Sequence, residues 1–304
     1  VALSSWIQRM KETRTTNLVI LHLVVLLWGF TGILGREISL DAFWLVWWRV
    51  AIATLAIGAY ALYKRVKPTV STRVLLALAG IGFLTAAHWV FFFMSIKVSK
   101  ISVALAVIST TALFVSMIAP VIRKEKFHAY ELVLGAIVVA GLIIIFKFEA
   151  DYTLGIILSL AAALFAALFS SFNSLLVIRH SPVVIAFWEM LFALLGLTLF
   201  LFFRGDFSSE RMYIGTRDFL LLLFLGVVCT GVAFIISIHV MKVLSPFTCA
   251  LAINLEPVYT IVIALFIYQE EEYMTPQFYI GALVIISTIF IESWLKNKYN
   301  PRLK

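Results

Sequence analysis

Apolar residues along this chain neither alternate nor keep to one helical face; they fill unbroken runs of about twenty residues, separated by short polar punctuation. Coiled as a helix at about 1.5 Å per residue, a run of that length matches the hydrocarbon core of a bilayer. The pattern predicts ten membrane-spanning helices, near residues 17–35, 43–63, 74–96, 101–121, 130–148, 153–177, 183–203, 218–241, 246–268 and 277–295. Pro182, Pro246 and Pro276 stand at helix entries, where a missing N–H costs nothing. The expected fold class is therefore an all-α integral membrane protein. A polar segment 1–16 precedes the first run, a tail 296–304 follows the last, and the connections are too short to hold a soluble domain.

Composition agrees, with 63% hydrophobic and only 13% charged residues, against about 45–50% and about 25% in soluble domains. Alternate connections hold sixteen Lys and Arg on one side and seven on the other. By the positive-inside rule both termini are expected in the cytoplasm, with the protein crossing the cell inner (plasma) membrane many times. Topology thus accounts for the net charge of +8, and no nucleic-acid partner is expected. The opening "VALSSWIQRMKETRTT" is polar and the first apolar run is long enough to span, so a cleavable signal is not expected. Cys229 and Cys249 both fall within predicted spans and read as small packing residues.

The chain also repeats itself. A shift of 146 residues lays "SKISVALAVISTTALFVSMIAPVIRKEKFHAYELVLGA" (99–136) without gaps on "SPFTCALAINLEPVYTIVIALFIYQEEEYMTPQFYIGA" (245–282), and a shift of 140 lays "WWRV" (47–50) on "FWEM" (187–190). Each repeat holds five predicted spans, an odd number, so the halves are expected to cross the membrane in opposite senses. The loops agree: "RKEK" around Glu125 is basic, whereas its counterpart Glu270 to Glu272 is acidic. Inverted repeats are typical of secondary transporters, whose substrate sits near the midplane where the halves meet.

These two five-span halves, with "STTALFVSMIAPVIRKEKFHAYELVLGAIVVAGLIII" in the first and "LEPVYTIVIALFIYQEEEYMTPQFYIGALVI" in the second, resemble the paired EamA domains of the drug/metabolite transporter superfamily. The resemblance covers nearly the whole chain and implies a ten-helix exporter of amino acids or other metabolites, with repeats at 17–148 and 149–295 around a central cavity. The chain departs from the family pattern at one point: the glycine usual before the loop glutamate is Lys124, and in the second half Gln269 or Glu270.

Polar residues inside spans single out the expected site. A charge at the bilayer centre costs at least about 2.5–3.5 kcal/mol, so such residues face protein or water. In "AINLEPVYTIV" (252–262), Glu256 lies ten residues into its span, roughly 15 Å deep and beyond the reach of snorkelling. Pro257 beside it is expected to break the helix by freeing the Ile253 carbonyl, placing a carboxylate, the Asn254 amide and a free carbonyl at one depth. Tyr259 shares that face. Arg49, roughly 9 Å deep among Trp44, Trp47 and Trp48, reads either as a snorkelling interfacial cation or as a clamp on a substrate carboxylate. Its repeat counterpart Glu189 should lie roughly 12 Å away in height if the core is about 30 Å thick. His88 reads either as a histidine satisfied by a carbonyl or as a substrate contact, with Trp89 next to it. Trp28, Thr110 and Asn173 complete the expected substrate-binding set, and Glu256 is the candidate for proton coupling.

The sequence lacks H-E-x-x-H, G-x-S-x-G and any phosphate-cradling glycine loop, and an enzyme is not expected; nor is a cofactor or metal. One intramembrane Arg with carboxylates and aromatics suits a small zwitterionic substrate, amino acids first, carried by alternating access. A lipophilic cation is the alternative, since Glu256 and Glu189 with aromatic walls would also serve it. A channel or scaffold is a third reading. The expected partners are a small-molecule substrate and the bilayer, with the protein a monomer or weak homodimer.

Overall fold

The computed structural model describes residues 14–127, 129–148, 150–207, 212–269 and 273–299. The acidic loop Glu270 to Glu272, Arg211, Arg9, Lys11 and the last residues of the tail lie outside them. Among the described residues there is no strand. The helices are α1 (Arg14–Glu37), α2 (Ala42–Tyr63), α3 (Thr72–Val98), α4 (Ile101–Ile108), α5 (Thr111–Arg123), α6 (Ala129–Phe148), α7 (Thr153–Leu176), α8 (Pro182–Phe203), α9 (Thr216–Phe224), α10 (Ala233–Val240), α11 (Pro246–Ile253), α12 (Glu256–Tyr268) and α13 (Pro276–Tyr299). A π-helical stretch, Leu225–Val232, joins α9 to α10.

Counting α4 with α5, α9 with α10, and α11 with α12 as single crossings, eight segments are long and apolar enough to span a membrane. The fifth and tenth apolar segments fall in α6 and α13, whose described apolar stretches Ala129–Gly141 and Pro276–Thr288 are shorter than a crossing. A multi-pass helical membrane protein is what the apolar runs require, because every backbone polar group in lipid must be satisfied within its own helix.

Two of the crossings are interrupted, and at matching places. The first-half break lies at Ser109 and Thr110, between α4 and α5; the second-half break lies at Asn254 and Leu255, between α11 and α12. In both, the backbone tightens into short-range bonds: Thr110 N donates to Val107 O at 3.0 Å, and Leu255 N donates to Ala252 O at 3.1 Å. Pro257 therefore does not kink a continuous helix, as the sequence suggests. It sits in the first turn of α12, where its absent N–H is one the helix never uses, and the break falls just before it.

Several of the helix adjacencies recur when a crossing is exchanged for its counterpart in the other half. The third packs on the sixth as the eighth packs on the first; the fourth packs on the sixth as the ninth packs on the first; the third packs on the seventh as the eighth packs on the second. Three equivalent pairs pack on each other: α2 with α8, α6 with α13, and the interrupted crossing α4–α5 with the interrupted crossing α11–α12. Contacts along α2 and α8 fix their relative direction. Phe43 at the start of α2 stacks on Phe200 at the end of α8, with ring centroids 5.2 Å apart. Trp47 Nε1 donates to Thr198 Oγ1 at 2.8 Å, and near the other end Phe187 lies against Gly58. The two helices are antiparallel.

The departure at the loop glutamate has a backbone consequence. Lys124 and Gln269 end their helices with φ of 55° and 46°, the left-handed region that costs a side-chain-bearing residue about 1–2 kcal/mol. Lys124→Gly is expected to raise the melting temperature of the detergent-purified protein, by roughly 0.5–1 kcal/mol in stability; a lowered melting temperature would show that the Lys124 side chain contributes more than its backbone strain removes.

Candidate functional site

The two breaks face one another across a cavity of about 110 Å³, large enough for several waters. From the first half it receives Ser109 and Thr111 around one break; from the second it receives Asn254, Glu256 and Pro257 around the other. Trp28 and Thr31 of α1, Arg49 of α2, and His88, Trp89 and Phe92 of α3 supply further walls. Phe169 of α7 and Phe234 of α10 add two aromatic faces.

Arg49 is 2% exposed, which only a fixed set of contacts can sustain at this depth. Its Nε donates to Thr230 Oγ1 at 2.6 Å, and its guanidinium lies over the Trp89 ring at 4.2 Å and the Phe93 ring at 5.5 Å. A desolvated contact of the first kind contributes about 2 kcal/mol. The Thr230 hydroxyl in turn donates to Leu225 O at 2.7 Å, five residues back, a spacing the π-helical turn provides. Gly226 lets α2 approach: a Cβ there would stand 2.7 Å from Ile52 Cγ2 and 3.1 Å from Arg49 O.

The other half repeats this cradle around Glu189. A Cβ on Gly82 would stand 2.7 Å from Glu189 O and 2.9 Å from Phe192 Cβ, and Thr85 faces the Glu189 carboxyl. Gly82 corresponds to Gly226 by a shift of 144 residues and Thr85 to Thr230 by 145. The extra residue is the π turn, which widens the helix between Gly226 and Thr230.

Four polar groups at the cavity have spare bonding capacity among the described residues, the Thr31 hydroxyl of α1 being one. Arg49 Nη1 and Asn254 Nδ2 are buried donors without a partner among the described residues. Glu256 makes no ion pair and its side chain no hydrogen bond among them; it interacts with Arg49 at longer range. It stands in the first turn of α12, where the helix dipole favours an anion. The break is held to α1 by Thr260, whose hydroxyl donates to Gly29 O at 2.6 Å. Trp28 Nε1 donates to Cys229 O at 2.9 Å, which turns the indole ring toward the cavity. His88 Nδ1 lies 2.9 Å from Ala162 O, and its ring still lines the wall between Trp89, Phe92 and Phe169.

Of the residues singled out from sequence, the structure thus brings Trp28, Arg49, His88, Trp89, Asn254, Glu256 and Pro257 to one cavity. Four others lie elsewhere. Thr110 is buried with its hydroxyl on Val107 O, leaving Thr111 at the wall. Tyr259 packs against Gly29 of α1. Asn173 and Glu189 bond to each other at 3.2 Å in a separate buried pair between α7 and α8. Thr230 escaped the sequence reading, because a threonine in "GVVCTGV" carries no mark of a π turn. Thr230→Val is expected to leave the Arg49 Nε unpaired and to lower the melting temperature, by about 1–3 kcal/mol in stability; an unchanged melting temperature would show that cavity water replaces the hydroxyl.

At the end of the bundle that includes Glu37, a polar cluster draws the two halves together. Arg217 pairs with Glu37, Ser39 with Asp218, and Tyr268 OH donates to Glu37 Oε1 at 2.7 Å. Lys97 Nζ donates to Ile38 O at 2.5 Å on the same side.

Comparison with known proteins agrees with this arrangement of two halves. The model of the EamA-like transporter family matches the chain twice, over residues 16–147 and 153–294. The chain belongs to the EamA-like transporter family, and is thereby a multi-pass membrane transporter. It is 23% identical over 261 residues to the uncharacterized transporter YxxF of Bacillus subtilis (strain 168), covering 83% of this chain and 82% of that one. A protein of known crystal structure shares the fold, with a TM-score of 0.70 at 18% identity, over 93% of this chain and 99% of its own.

Proposed function

We propose that this transporter is a secondary carrier that exports small zwitterionic metabolites, amino acids first among them, by alternating access. The observation that carries the substrate class is the unpaired set in the cavity. Among the described residues Arg49 Nη1 and Asn254 Nδ2 are donors without partners, suited to a carboxylate, and Glu256 makes no ion pair with a cation in direct contact, which suits an ammonium. The surrounding Trp89, Phe92, Phe169 and Phe234 would take an apolar side chain. The cavity also offers a proton route: Glu256, once its ammonium leaves, faces water and can exchange a proton there.

Inverted threading of the two halves is supported by the antiparallel packing of α2 on α8 and by the helix adjacencies that recur between the halves. The charge bias supports cytoplasmic termini and a place in the cell inner membrane. The Glu37 cluster then closes the external end, while Leu21, Met241 and Pro246 line the cavity toward the cytoplasmic end. Rocking of one half against the other would break the cluster and open the site outward.

Reconstituted liposomes preloaded with an unlabelled amino acid test the mechanism. Labelled amino acid outside should enter faster than into empty liposomes, because a carrier returns loaded; equal rates would replace the carrier by a pore.

A further inference from the structure

Outside the cavity, Glu189 is an acidic side chain buried with no ion pair among the described residues. Glu189 and Asn173 are both 0% exposed, and Asn173 Nδ2 donates to Glu189 Oε2 at 3.2 Å. The other oxygens of the pair, Glu189 Oε1 and Asn173 Oδ1, are buried and have no partner among the described residues. A carboxylate and an amide oxygen can only accept hydrogen bonds, so neither can satisfy the other.

The neighbours do not supply what is missing. Thr85 of α3 hydrogen-bonds the carboxyl, but its single hydrogen is also claimed by Ile81 O at 3.0 Å, and a neutral hydroxyl brings no counter-charge and does not reach Asn173 Oδ1. Arg49 of α2 is turned to Thr230 and Trp89, and His88 of α3 to Ala162 O. Rotating the Asn173 amide by half a turn would only set two oxygens face to face across the 3.2 Å contact.

We infer that Glu189 binds a proton in this state and shares it with Asn173, forming a proton-binding site separate from the substrate cavity. A hydrogen on Oε1 directed at Asn173 Oδ1 satisfies both orphan oxygens at once. With the existing bond from Nδ2 to Oε2 it closes a cyclic acid–amide pair, and no unpaired charge remains in the bilayer. The amide rotated by half a turn would accept the same hydrogen from Oε2.

The repeat gives the site a direction of use. Glu189 occupies in the second half the position Arg49 occupies in the first, each beside a glycine and a threonine of the neighbouring crossing. Arg49 borders the cavity in this state and Glu189 does not. If the halves exchange conformations, the Glu189 cradle opens as the Arg49 cradle closes, and the proton meets water on the opposite side. This direction of use rests on the alternating-access reading; the bound proton does not.

Infrared spectroscopy of the purified, substrate-free protein reads the proton directly. The difference between the unaltered protein and Glu189→Gln should show the loss of a protonated-carboxyl C=O band at neutral pH. Loss of carboxylate bands in its place would overturn the proposal. Gln keeps both a donor and an acceptor for Asn173, which favours folding. Should it nevertheless fail to fold, Asn173→Leu leaves Glu189 in place, and the C=O band should move to higher frequency as its donor is removed; an unmoved band would overturn the shared ring. Both readouts need no substrate, so they fail or succeed independently of the transported molecule.

Discussion

Arg49→Met is expected to abolish zwitterion binding while leaving the melting temperature of the empty protein unchanged or higher. The two effects separate because Arg49 is buried, makes no ion pair among the described residues, and has a spare donor at the cavity. Removing an unpaired buried charge relieves a desolvation cost of several kcal/mol, which offsets the lost contacts to Thr230 and Trp89. Losing a buried charge-assisted bond to a ligand, in contrast, costs about 2–5 kcal/mol, or roughly thirty- to several-thousand-fold in affinity. Calorimetric titration and a thermal melt on one preparation measure both. A fall in melting temperature with affinity retained would make Arg49 a structural cation that holds Thr230 and Trp89 together. Lysine should not rescue binding, since it lacks the planar fork that reaches Thr230 and the cavity simultaneously.

Glu256→Gln is the second large effect. It preserves shape and removes only the charge, so the protein should fold, yet binding of an ammonium-bearing substrate should weaken by about 2–5 kcal/mol. It should also remove the dependence of liposome transport on a pH gradient, because Gln cannot exchange a proton. Gradient dependence unchanged from that of the unaltered protein would take Glu256 out of coupling and leave it the substrate's counter-ion alone.

Much of the fold is legible in the sequence because the bilayer allows few alternatives. A run such as 153–177 has no option but a helix, and the Lys and Arg bias follows from insertion. Glu256 and Arg49 are legible for the same reason: a charge at depth must have a purpose. The details that shape the cavity are less so. The break at Ser109 and Thr110 has no proline to mark it and becomes visible only beside its counterpart at Asn254 and Leu255. Pro257 marks the right neighbourhood but the wrong residue, since a proline at a helix start and one in a helix interior look alike in sequence. Phe169 and Phe234 cannot be told from the rest of 26 phenylalanines until the helices are packed. The bond between Asn173 and Glu189 joins two different helices, and no periodicity along one helix reports it.

The central claim is that one cavity holds both ends of a zwitterion, and a matched set of ligands tests it most directly. Leucine carries both charges; its methyl ester keeps the ammonium and lacks the carboxylate; 4-methylpentanoate keeps the carboxylate and lacks the ammonium. In calorimetric titration of the purified protein, leucine should bind and each truncated relative should lose roughly thirty-fold or more. Equal binding of leucine and its ester would contradict the account, assigning the cavity to cations held by Glu256 and the aromatic walls.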